Sequence, residues 1–286
     1  MPSLVNEIIQ GRKTFFIAPD KSLFPETYLE DYLARGYECY FIDNDLILPI
    51  DMKMEILLSV FKDSIVFFNI DTTVNNVKWK EVISKCRKKY PEALLGVLYA
   101  KKQSPGERAK LEQFYLLDVG VQCGCIQLEW KKENNFSVLE KTLYANEAMG
   151  RRKAVRACCN GFCTMKFRDK FDNLNSVTLN DVSLSHFSIF VGTETGIDFE
   201  DYEKIEDIQF VIRGLHFVSD AIIFTKRDTP EGKLIVFAFS KKDGQLGLDP
   251  LNRQLLIPKL YSIMEENFNG LVSKLFQTAK EKLNIR

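Results

Sequence analysis

Two polar clusters interrupt otherwise apolar sequence between Gly150 and Val191. The first is Arg151-Arg152-Lys153-Ala154-Val155-Arg156, in which Arg152 and Arg156 stand in an RxxxR spacing. Guanidinium forks suit planar or tetrahedral anions, because their fixed N–H donors meet two acceptor oxygens at once. The second is Asn180-Asp181-Val182-Ser183-Leu184-Ser185-His186, followed by the run Phe187–Val191. Val182, Leu184 and that run predict two strands meeting at a Ser185-His186 corner. Side chains alternate along a strand, so Asp181 and Ser183 share one face and set a carboxylate beside a hydroxyl.

Each cluster alone has an ordinary explanation. Cations after a helix complement its dipole, and an isolated D-x-S closes an Asx or Ser turn. Together they resemble the RxxxR and DxSxxG signature of PilZ domains, receptors for the bacterial second messenger cyclic di-GMP. The signature reads Arg152-Lys153-Ala154-Val155-Arg156 and Asp181-Val182-Ser183-Leu184-Ser185-His186, with Arg151 as an additional basic residue before it. His186 replaces the motif glycine, which would permit close backbone approach or positive φ.

The resemblance implies a ligand-binding set of Arg151, Arg152, Arg156, Asp181, Ser183 and His186. Guanine offers acceptors at O6 and N7 and donors at N1 and N2. The arginines would take acceptor edges or phosphates, Asp181 the donor edge and Ser183 a phosphate oxygen; His186 has no fixed role. Arginines on a connector would convert occupancy into domain rearrangement. A rival reading is a degenerate PilZ scaffold in which His186 blocks the nucleotide. Its partner would be a protein such as a flagellar motor component or other output machinery.

The elements that position these residues follow from periodicity. Strands are predicted at Lys13–Ala18, Tyr37–Asp43, Ile65–Ile70, Leu94–Tyr99 and Cys123–Trp130. Helices are predicted at Phe24–Arg35, Lys53–Phe61, Lys78–Tyr90, Gly106–Leu117 and Ser137–Ala148. Near-continuous apolar strands alternating with helices imply a doubly wound, five-stranded parallel sheet over residues 1–150. Its size and order resemble a response-regulator receiver. Only Asp71 and Lys131 fit a receiver's working residues, since Asp20 is alone and Ala100 stands where a hydroxyl belongs. Asp71 is therefore read as a loop cap before Asn75–Trp79 in a pseudo-receiver, with a phosphoacceptor response regulator as the alternative.

Gly150 stops the last of these helices and marks the boundary. Beyond it, short strands are predicted at Ala157–Phe167, Ser176–Leu179, Phe187–Val191, Ile208–Ser219, Ala221–Lys226 and Leu234–Ser240. Closely spaced strands without helices between them argue for a small antiparallel barrel. Gln254–Arg286 returns to helical periodicity, with Leu255, Leu256, Leu260, Ile263, Met264, Phe268, Leu271, Leu275 and Phe276 forming the apolar stripe of one or two helices. Residues 151–286 thus read as a PilZ-like barrel with a C-terminal helix.

The 286 residues carry a formal net charge of zero, so no global field favours polymeric nucleic acid or an anionic membrane. Any anion site must be built locally. Seven cysteines, an odd count, fit reduced thiols, and the start Met1–Glu7 lacks a signal-peptide pattern, so a cytoplasmic protein is expected. Cys158, Cys159 and Cys163, like Cys123 and Cys125, lack zinc spacing, and neither metal nor cofactor is expected. His216 reads as a core or edge histidine of an apolar strand. With no GxSxG, phosphate-cradling glycine loop or HExxH in the chain, no catalysis is expected.

Overall fold

Phe15, Phe16 and Ile17 on β1 (Thr14–Ile17) and Val66, Phe67 and Phe68 on β3 (Ile65–Asn69) are all buried. Adjacent strand residues point to opposite faces, so both faces of this sheet must be covered. The computed structural model describes residues 11–44, 48–74, 77–150, 152–193, 197 and 199–284, with side chains to 281. Met1–Glu7, Asn75 and Arg151 from the sequence reading lie outside the described residues.

Strands β2 (Cys39–Ile42), β4 (Leu94–Tyr99) and β5 (Cys125–Gln127) complete a parallel sheet of order β2-β1-β3-β4-β5. The connecting helices are α1 (Tyr28–Ala34), α2 (Ile50–Val60), α3 (Trp79–Lys89) and α4 (Pro105–Glu112). A π-helical segment, Gln113–Val119, extends α4, and α5 (Lys132–Ala145) follows β5. Right-handed crossovers put α1 on one face and the next three helices on the other, because chain progression reverses at β1. Tyr32 on α1 stacks on Phe136 of α5 with centroids 4.5 Å apart, which puts α5 on the face of α1.

The helix boundaries have local causes. Ser104 and Glu107 form a reciprocal capping box ahead of Pro105, the first residue of α4. Helix α5 begins at Lys132 rather than Ser137, because Asn135 is buried beneath it. Its side chain accepts from the Glu129 N–H at 2.7 Å and donates to the Leu23 carbonyl at 2.8 Å, which no apolar periodicity reveals. The chain divides into two compact units, Met1–Lys153 with Gly270–Arg286, and Ala154–Asn269.

In the second unit seven strands form one sheet of order β6-β8-β7-β10-β11-β12-β9, and β8 also pairs with β9. That last pairing closes β7 to β12 into a six-stranded antiparallel barrel, with β6 as an extension on β8. The strands are β6 (Ala157–Cys158), β7 (Cys163–Arg168), β8 (Leu174–Val182), β9 (His186–Gly192), β10 (Lys204–Ile212), β11 (Leu215–Thr229) and β12 (Gly232–Ser240). Phe187, Phe210, Phe237 and Phe239 fill the interior, Phe187 stacking on Phe237 at 4.8 Å. Closure leaves the barrel strands from β7 to β12 without free edges.

Three strand assignments differ from the sequence expectation. Ala157–Phe167 is not one strand, because Cys159–Phe162 loops out between β6 and β7, turning through positive φ at Asn160 (43°) and Gly161 (87°). Ile208–Ser219 is likewise cut, by a two-residue hairpin at Arg213 (φ 48°) and Gly214 (φ 74°). Two successive positive φ values match the right-handed strand twist, and arginine is a rare first residue for that turn. Ala221–Lys226 is no separate strand but the continuation of β11. His216, expected as a core or edge residue, faces outward and is exposed, opposite Val211.

The C-terminal stripe forms the single helix α6 (Pro250–Asn284), with Pro258 inside it. Leu256, Leu260, Ile263, Met264 and Phe268 are buried, whereas Leu255 and Leu271 are a little under half exposed. Polar bonds tie its first half to the barrel: Asn252 donates to the Val218 carbonyl at 3.1 Å and Asn267 to the Cys158 carbonyl at 2.8 Å. None of the described helices is long and apolar enough to cross a membrane.

Candidate functional site

The corner between β8 and β9 is built from Ser183 outward. Its N–H donates to the His186 carbonyl at 2.8 Å, and its hydroxyl donates to the same carbonyl at 3.0 Å. That hydroxyl also accepts from the His186 N–H at 3.0 Å. Ser183 is 1% exposed, so its side chain holds the turn in which the second motif ends. Reaching a phosphate would require it to release one of these bonds.

Two residues upstream, Asp181 points to the outer wall of the barrel. Strand register sets Asp181 opposite Ser188, and the Ser188 hydroxyl donates to Asp181 Oδ2 at 2.7 Å. Asn180 donates to the same oxygen at 3.2 Å and to the Ser188 hydroxyl at 3.2 Å. Asp181 Oδ1 meets Arg156 Nη1 at 3.5 Å, the two side chains being 14% and 25% exposed. Register explains this meeting too, since β6 lays Cys158 opposite Asp181 and so delivers Arg156 just beyond the strand end.

His186 stands at the same corner, in contact with Ser185 and Phe224. Nδ1 lies 2.8 Å from the Ser185 hydroxyl, and the ring meets Phe224 edge to face with centroids 5.1 Å apart. Burial lowers its pKa below the usual 6.5, the nearby Arg156 charge lowers it further, and Asp181 opposes both. Burial and the Arg156 charge thus both favour the neutral ring.

Of the sequence-derived set, the barrel gathers Arg156, Asp181, Ser183 and His186 at one corner. Arg152 is partly buried in the segment joining the two units, and Arg151 lies outside the described residues. Sequence reasoning missed Ser188 and Asn180. A serine inside the run Phe187–Val191 was the available signal, but naming its partner requires the cross-strand register.

The other candidate, Asp71, follows β3. Its Oδ2 accepts the N–H groups of Ala100 at 2.6 Å and Lys101 at 2.8 Å, which makes it a cap joining the loops after β3 and β4.

No protein-family model matches the chain, and no curated protein matches it. Similar solved structures include YcgR of Escherichia coli in complex with cyclic di-GMP, at 16% identity and a TM-score of 0.31 over 48% of this chain. The match spans about half of that protein, 52% of its chain. The isolated PilZ domain of Escherichia coli YcgR with cyclic di-GMP is similar at 14% identity and a TM-score of 0.35, covering 43% of this chain and 98% of that one. A signal receiver domain of an HD domain-containing protein from Pseudomonas fluorescens is similar at 12% identity and a TM-score of 0.34, covering 48% of this chain and 97% of that one. A PilZ domain and a receiver domain are thus both among the structures this chain is similar to.

Proposed function

We propose that the chain is a receptor for cyclic di-GMP, bound at the barrel corner through Arg156 and Asp181 with Arg152 supplied by the connector. The observation that carries this reading is the Arg156–Asp181 pair, brought together across 25 positions of sequence on the outer wall of the barrel. It sets a guanidinium donor fork beside a carboxylate acceptor, the two functions that a guanine nucleotide needs. Asp181 is held from behind by Ser188 and Asn180, so its Oδ1 is the oxygen placed to accept from the guanine donor edge. Arg156 then turns its fork to a phosphate or to O6 and N7.

Arg152 sits four residues before Arg156, in the segment that joins the units. Ordering such a segment costs about 1–2 kcal/mol per residue, which the ligand contacts must offset. Binding that orders the connector would rearrange the units, and this rearrangement is the output. Titration calorimetry of the intact chain with cyclic di-GMP tests the reading. Saturable binding at micromolar or lower concentration is expected, and absence of binding at millimolar ligand overturns it.

A further inference from the structure

Beside the corner lies a groove in the outer wall of the barrel, of about 390 Å³, lined among others by Tyr202, Phe224, Lys226, Asp228 and Lys233. That volume is in the range of small-molecule sites. Its floor exists because β11 carries an irregularity: Ile223 pairs with Phe237 and Thr225 with Val236, leaving Phe224 as an extra residue without a partner in the ladder. A bulge re-aims the side chain it carries. Here it sends Phe224 outward, 58% exposed, against the ring of His186. One residue therefore belongs both to the groove and to the contact that ends the second motif.

The lining chemistry selects a base over a phosphate. Asp201 and Asp228 balance Lys226 and Lys233, and Lys226 is already paired with Asp201 at 3.0 Å, so no net positive charge awaits an anion. Two exposed rings, Phe224 and Tyr202 (79% exposed), offer faces for stacking. Carboxylates suit the N1 and N2 donors of guanine, and ammonium groups suit O6 and N7.

We propose that this groove is a second subsite, which stacks one guanine of the cyclic dinucleotide on Phe224 while the phosphates and the other guanine remain at the Arg156–Asp181 corner. His186, standing where glycine would be, then serves to brace the Phe224 ring. The inference rests on the reading of the corner as a cyclic di-GMP site.

Calorimetry with cyclic di-GMP on the full chain separates the two claims, using Phe224→Leu, Phe224→Trp and Arg156→Ala. Stacking of one base predicts that Phe224→Leu weakens binding about 10-fold, that Phe224→Trp keeps it, and that Arg156→Ala weakens it independently. Phe224 is mostly solvent-exposed, and thermal melting checks that the leucine variant is folded. Unchanged affinity in a folded Phe224→Leu protein, with Arg156→Ala still weakened, overturns the subsite and leaves the corner standing. A wild-type protein that binds no cyclic di-GMP overturns both.

Discussion

The Arg156 guanidinium stands 3.5 Å from the Asp181 carboxylate, at the long limit of a charge-assisted hydrogen bond, whereas Ser188 holds the opposite oxygen at 2.7 Å. Asp181 is therefore positioned by the barrel and not by its countercharge. A long, partly solvated ion pair contributes about 0–1 kcal/mol. Exchanging Arg156 from Asp181 to an incoming anion costs correspondingly little, which suits a receptor whose ligand brings both charges and base edges.

Ser188→Ala tests that anchoring. The hydroxyl is completely buried and donates to a carboxylate, so its loss should lower unfolding free energy by about 1–3 kcal/mol in denaturant titration. Cyclic di-GMP affinity should fall as Asp181 loses its orientation. A variant with wild-type stability and affinity would show that Asn180 alone suffices.

His186 gives the corner a pH dependence. Its folded pKa lies below the usual 6.5, chiefly through burial and then through Arg156, so the unfolded chain takes up the proton first as pH falls. The stability contributed is complete above about pH 6.5 and is lost as pH drops through the lower, folded value. His186→Asn should flatten the stability profile over this acidic range in paired urea titrations. In Arg156→Ala, an NMR titration should show the His186 pKa moving up. A downward or absent shift would mean that the two groups do not sense each other.

Much of this was legible in the residues, for reasons that can be named. The parallel sheet reads clearly because strands such as Phe15-Phe16-Ile17 and Val66-Phe67-Phe68 are apolar on both faces. The D-x-S spacing is visible in the residues, but β8 ends at Val182, so Ser183 lies in the turn where it bonds His186, while Asp181 meets Ser188, Asn180 and Arg156. The barrel's interruptions did not read. Cys159–Phe162 does contain a turn signal, Asn160-Gly161, but it is set in an apolar run whose Cys159 and Cys163 on either side are core residues. The Arg213–Gly214 hairpin lacks the Asn-Gly or Asp-Gly that usually marks its turn, and Phe224 looks like any strand residue until its register is known. Ser188 and the Phe224 groove share that cause, because each depends on a register shift within a hairpin, β8–β9 and β11–β12 respectively.

Gly232 shows where barrel closure tolerates no side chain. It opens β12 at φ 153°, and a Cβ there would lie 2.2 Å from the Val191 carbonyl oxygen and 2.9 Å from the Gly192 Cα. Both obstacles are backbone of the paired strand β9, so neither can swing aside. Gly232→Ala should cost about 3 kcal/mol or more, read as a lowered melting temperature or as insoluble protein. Gly214→Ala serves as the control: its Cβ meets nothing within 4 Å, and its cost is that of positive φ alone, about 1 kcal/mol.

Asp71 should behave as a structural cap. Asp71→Ala leaves the N–H groups of Ala100 and Lys101 without their acceptor and should destabilise the N-terminal unit by about 1–3 kcal/mol. Acetyl phosphate with magnesium should add no phosphoryl group, as followed by intact mass. Stoichiometric modification lost in Asp71→Asn would restore the phosphoacceptor alternative.

The most direct test of the receptor is calorimetric titration of cyclic di-GMP into the wild-type chain and into the Arg152→Ala/Arg156→Ala double variant. A micromolar site has about 8 kcal/mol of binding free energy, and two charge-assisted partners supply several kcal/mol of it. The double variant should therefore lose at least about 30-fold in affinity while melting as wild type does. Equal affinity in the two proteins would contradict the assignment of these arginines to the ligand.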